Sequence, residues 1–185
     1  MFKFVKYFKD KKLIAKGRPV DSEGRAIVDI KIKDKSEVLS PFVIDGQEII
    51  NAEFANLIDN TVKSIPPTQS INININCDKL TDSDKTSFAL AIKNYYKNST
   101  LDSQRKMDNN TKILILMLVF SIISLVALFL VNFFNVNWII IEIVDIIAWV
   151  FTWESIDLLV FQRSMQRYEK LRYLALYNCH ITFKN

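Results

Sequence analysis

The chain is poor in the residue types from which most recognisable sites are built. Its 185 residues include three glycines, four prolines, two cysteines and one histidine. Three scattered glycines leave no glycine-rich phosphate loop. Two cysteines far apart in sequence, Cys77 and Cys179, match no metal-ligand spacing and no disulfide framework. A net charge of +4 is too small to argue for nucleic acid, and no nucleic-acid-binding motif accompanies it. The most telling lack is local: from Ile113 to Phe134 there is no charged residue.

That uncharged run is long enough to cross a hydrocarbon core of about 30 Å, which takes roughly 20 apolar residues. Ser121, Ser124 and Asn132 are its polar members. Its position in mid-chain excludes a secretory signal peptide. Asn135-Val136-Asn137 then leaves room for a tight reversal, and Trp138 to about Phe161 reads as a return helix, because backbone inside lipid must satisfy its own hydrogen bonds. Lys and Arg set the orientation. Arg105, Lys106 and Lys112 precede the first span, Arg163, Arg167, Lys170 and Arg172 follow the second, and the turn has none. The positive-inside rule places both termini in the cytoplasm, under a cell inner membrane crossed twice.

The second span carries Glu142, Asp145, Glu154 and Asp157. A helical projection spaces Asp145, Glu142 and Asp157 about 60° apart and puts Glu154 a further 60° on. A charged Asp near the bilayer centre costs roughly 2.5–3.5 kcal/mol. Protonating it at pH 7 from a reference pKa near 3.9 costs about 4 kcal/mol. The two costs are close, so the sequence leaves the state of Asp145 open. These acids serve either an ion or proton path at an oligomer axis or a helix-packing contact, to Ser121, Ser124 or another subunit, with Glu154 and Asp157 at the inner boundary.

The remainder reads as soluble. Residues 1–20 form a basic, aromatic, amphipathic segment with Lys3, Lys6, Lys9 and Lys12 among Phe2, Phe4, Tyr7 and Phe8, suited to an anionic membrane surface or to packing on the domain. Residues 21–110 alternate strand and helix signals. Ala26 to Lys33 alternates apolar and polar residues, and a short strand from Glu37 to Phe42 follows, made an edge by Pro41. Asp45 and Glu48 resemble a capping box ahead of a helix from Gln47 to about Ser64, stopped by Pro66-Pro67. Ile71 to Asn76 is strict alternation with an asparagine face. Thr81 and Asp84 cap a second helix that buries Phe88, Ala91, Ile92 and Tyr95 and can continue into the first span; capping also accounts for the Asp78, Asp82 and Asp84 cluster. After the hairpin, Leu158, Phe161, Met165, Tyr168, Leu171 and Leu174 continue the helix, and Cys179 to Lys184 forms a last strand that returns to the sheet.

Cys77 and Cys179 read as buried, reduced thiols; a Cys77, Cys179 and His180 metal or thiol–imidazole set is the competing reading. Glu154, Asp157 and Arg163 could serve an enzyme acting on lipid headgroups, a combination that arises easily by chance.

Ser40-Pro41-Phe42, Ser64-Ile65-Pro66-Pro67, Ala91 to Tyr96, Trp153 to Arg163 and Arg172-Tyr173-Leu174 together carry a resemblance. Over Val28 to Phe183 the chain resembles a group of small, uncharacterised two-span membrane proteins of gut Firmicutes. Members often show Glu-Arg-Arg where this chain has Phe161-Gln162-Arg163. The resemblance implies architecture and no activity.

The expected fold is an α+β membrane protein. A small cytoplasmic α/β domain of three to four strands and two to three helices (residues 21–110) is completed by a helix and strand at 162–185. A two-helix transmembrane hairpin at 111–161 is inserted within it. The expected function is a non-enzymatic anchor, sensor or regulatory partner, oligomeric, touching the bilayer through Lys3, Lys6, Lys9, Lys12, Arg163 and Arg167. It would use no cofactor, metal or nucleic acid. The alternative is a membrane effector or small ion-conducting oligomer built on the acids of the second span.

Overall fold

The computed structural model describes residues 19–44, 47–77 and 80–184. The chain is α+β, and it divides into two compact units. One comprises the described residues up to Thr100 and from Leu171 onward; the other is Leu101–Lys170.

In the first unit, strands β1 (Ala26–Lys31), β4 (Ile71–Asn76) and β5 (His180–Lys184) form a parallel sheet in the order β1-β4-β5. Strict Ile-Asn alternation makes β4 two-faced, since successive side chains leave a strand on opposite sides. Ile71, Ile73 and Ile75 enter the core with Val28 and Ile30 of β1. Both crossovers step across the sheet in the same direction, and right-handed connections of that kind lay their helices on one face. Phe54 and Ile58 of α1 (Ala52–Val62), Phe88, Ile92 and Tyr96 of α2 (Asp82–Phe133) and Leu176 of α4 (Arg163–Tyr177) all join that one cluster.

The other sheet face is polar. Register rows across it read Asp29, Asn74, Thr182 and then Lys31, Asn76, Lys184. Asn72 and Asn74 are buried, deeper than the half-burial their uncharged character suggests. They are held by hydrogen bonds: Asn72 Nδ2 donates to Asp21 Oδ2 at 3.4 Å, Asn74 Nδ2 to Asp29 Oδ1 at 2.6 Å, and Thr182 Oγ1 to both asparagine oxygens.

The segment expected to open a helix at Gln47 does something else. Gln47–Ile50 is a strand, β3, paired antiparallel with β2 (Leu39–Ile44) in a separate two-stranded sheet. Its β-branched Ile49 and Ile50 suit a strand. The cap is Asn51 instead, accepting from Glu53 N at 2.9 Å, so α1 starts at Ala52. Glu48 therefore lies in a strand, and Asp45 lies outside the described residues. The strand expected from Glu37 begins at Leu39, because Asp34 caps a 3-10 turn over Lys35–Glu37. Pro41 is accommodated by a register shift between Leu39 and Val43. Among the described residues, five strands in two sheets thus replace the three or four expected.

Thr81 and Asp84 form the expected reciprocal cap: Thr81 N donates to Asp84 Oδ2 and Asp84 N to Thr81 Oγ1, each at 3.2 Å. From there α2 runs unbroken for 52 residues. Tyr96, rather than Tyr95, is its fully buried tyrosine, and its hydroxyl donates to Asp59 Oδ1 at 3.1 Å.

Candidate functional site in the helix pair

The second unit holds the end of α2, all of α3 (Trp138–Asp157), a π-helical segment over Leu158–Gln162 and the start of α4. By length and composition α2 can cross a membrane, with a mean hydropathy of 3.2 over its most apolar 18 residues. The 20-residue α3 carries four acids and does not meet the same measure.

The reversal between the helices is local chemistry. Asn135 takes φ of 51°, a left-handed conformation that Asn tolerates better than most residues. Asn137 caps α3 by accepting from Ile139 N at 3.1 Å.

Burial in this unit is inverted relative to a protein in water. Its interior holds mainly small and hydroxyl side chains, Ser121 and Ser124 of α2 and Ala148 and Ser155 of α3, with Leu114 and Leu158. Ser121 Oγ and Thr152 Oγ1 share a hydrogen bond of 2.8 Å, and Phe120 stacks on Phe151 with centroids 5.4 Å apart. Ser124 and Ser155 each donate to the carbonyl four residues back. The outer surface is large and apolar, including Ile122, Phe129, Ile143, Ile146 and Trp149.

The four acids have different surroundings. Glu142 and Glu154 are both exposed. Asp145 is exposed and lines an open cleft of about 340 Å³ with Leu125, Ala148, Trp149, Thr152, Trp153 and Ile156. Asp157 is half-buried and engaged: Gln162 Nε2 donates to its Oδ2 at 2.9 Å, and Asn110 Nδ2 donates to Gln162 Oε1 at 3.4 Å. The π segment makes this link, its Arg163 N–H reaching Leu158 O five residues back. One extra residue in a turn rotates the helix beyond it, and such insertions recur at functional positions. Arg163 and Arg167 are exposed on α4, and Lys170 Nζ donates to Gln104 Oε1 across the helix pair. Lys3, Lys6, Lys9 and Lys12 lie outside the described residues.

Among the described residues no group of His, Cys, Asp and Glu could hold a metal. Cys77 follows the last residue of β4, whereas Cys179 immediately precedes His180, the register partner of Asn72 near the start of β4. The thiols therefore sit at opposite ends of the sheet, about 20 Å apart at the rise of a strand, and cannot share an ion. Both are buried, and burial pushes the Cys179 thiol up to about 12.

The sequence points to Ser121 and Ser124 as packing residues. It gives little sign of Thr152, Ala148 and Ser155 opposite them, because the acids dominate the reading of that helix. The small residues recur at three- and four-residue spacing, which was the available signal. No protein-family model matches the chain, and no curated protein or solved structure is significantly similar to it.

Proposed function

We propose that the chain is a two-span inner-membrane protein whose soluble unit is held at the cytoplasmic surface, a non-enzymatic anchor, sensor or regulatory partner that works as a homo-oligomer. The inverted burial of the helix pair carries this reading. So much contiguous apolar surface is untenable in water. In lipid it is the ordinary outside of a helix pair, and small and hydroxyl residues are the ordinary inside. The carboxylates explain why α3 is less apolar than α2 without requiring it to leave the bilayer.

Asp145 motivates the oligomer. Its carboxyl is on the outer surface, among Trp149, Trp153 and Leu125, and Ile113 to Gln162 contains no Lys, Arg or His to pair with it. A second copy covering this cleft removes the group from hydrocarbon. The test is oxidative crosslinking of an Ile146→Cys variant in native membranes. A disulfide-linked dimer is expected, and monomers alone would refute the assembly.

The outward position of Asp145 favours one alternative, an ion-conducting oligomer. Asp157 is a poor member of such a path, being bonded to Gln162. Ion leakage from liposomes that Asp145→Asn abolishes would establish this alternative, and tight wild-type liposomes would remove it.

A further inference from the structure

We propose that Lys31, Asn76 and Lys184 form a binding site for the phosphate of a phosphomonoester, at the carboxyl-terminal edge of the parallel sheet. The three residues are register partners: Lys31 pairs with Asn76 and Asn76 with Lys184. They occupy the polar face, away from the helices. Adjacent strands lie about 4.8 Å apart, so the lysine Cα atoms are about 10 Å apart, with the asparagine between them. Side chains as long as lysine's can reach a common small group above Asn76 from both flanking positions.

The groups offered are all donors. Lys31 and Lys184 are exposed. Asn76 is half-buried, and its Oδ1 is buried with no hydrogen-bond partner among the described residues. With the oxygen inward, Nδ2 is the amide atom left to meet a ligand. The neighbouring row is closed by contrast: Asn74 donates to Asp29 at 2.6 Å, and Thr182 donates to Asn74. Asp29, the nearest described carboxylate on this face, makes no ion pair with either lysine. Two ammonium groups and an amide N–H₂ complement a phosphomonoester, which carries about −1.5 to −2 charge at pH 7 and three strong acceptor oxygens. This site does not depend on oligomerisation or on the chemistry of Asp145.

The experiment is calorimetric titration of inorganic phosphate into the full chain in phosphatidylcholine nanodiscs. Saturable binding is expected. Lys31→Gln and Lys184→Gln should each weaken it by about tenfold, the weight of one charge-assisted hydrogen bond. Lys63→Gln, at the C-cap of α1 beyond the opposite face, should leave it unchanged. Nanodiscs containing phosphatidic acid identify the source. Competition with inorganic phosphate assigns the site to a lipid headgroup, and undiminished binding assigns it to a soluble phosphomonoester. Absence of saturable binding, or wild-type affinity in both glutamine variants, overturns the proposal.

Discussion

Ser121 Oγ and Thr152 Oγ1 lie 2.8 Å apart, one hydroxyl from each helix of the pair, at the centre of a seam of small side chains. A hydroxyl bond between helices in lipid is worth about 0.6 kcal/mol on average and up to about 1.7. Ser121→Ala should lower the stability of the pair by that order. Ser121→Leu should cost more, roughly 1–3 kcal/mol, by overfilling the seam. Steric-trap unfolding in bicelles measures both.

Asp84 ties the 3-10 turn at Lys35 to the start of α2. Its carboxylate is 2.7 Å from Lys35 Nζ and caps α2 through Thr81. The hydrogen bond from Lys35, followed by those from Thr81, lowers its pKa from 3.8 to about 2. A lowered acid stabilises the folded state above its unfolded pKa, and that contribution is lost as pH falls toward the folded one. The sheet-bearing unit should lose stability between pH 3.8 and about 2, and Asp84→Asn should flatten part of the loss in melts across that range. Asp21, held down to about 2 chiefly by its hydrogen bond from Arg25, supplies a second component in the same window.

Tyr96 is fully buried against Asp59, and burial raises its phenol well above the usual tyrosine range. It should stay protonated in the folded protein while exposed tyrosines ionise. Difference absorbance between wild type and Tyr96→Phe should therefore show no phenolate until alkaline unfolding. Removing the hydroxyl should cost about 1 kcal/mol, and Tyr96→Ala about 3–5.

Cys77 and Cys179 are both buried. Because only the thiolate is nucleophilic, the raised Cys179 thiol should be inert to alkylation in the native state and react on denaturation. Mass spectrometry after brief iodoacetamide treatment at about pH 8, near the unperturbed thiol pKa, checks this.

The elements most legible in the sequence were those with strict periodicity. Ile71 to Asn76 could only be a two-faced strand, and Thr81 with Asp84 marked the start of α2 to the residue. Asp45 and Glu48 imitate a capping box and disguise the strand at Gln47–Ile50, whereas the pairing of Ile44 with Gln47 that decides the matter is tertiary. The acids of α3 were visible as anomalies, but their environments were not. That Gln162 occupies Asp157 depends on a π insertion, which leaves no periodic trace. The alignment of Lys31 with Asn76 and Lys184 comes from parallel register between segments far apart in the chain, information that no local pattern contains.

The central claim is that the helix pair lies in lipid on all its outer sides, α3 included. Ile122 of α2 and Ile146 of α3 are each 61% exposed. Spin labels at Ile122→Cys and Ile146→Cys in reconstituted bilayers report depth through relaxation by oxygen, which enters lipid, against a water-soluble nickel chelate. High oxygen and low nickel accessibility is predicted at both positions. A label at residue 146 that the nickel chelate relaxes as readily as it does one at exposed Lys63 would contradict the two-span account.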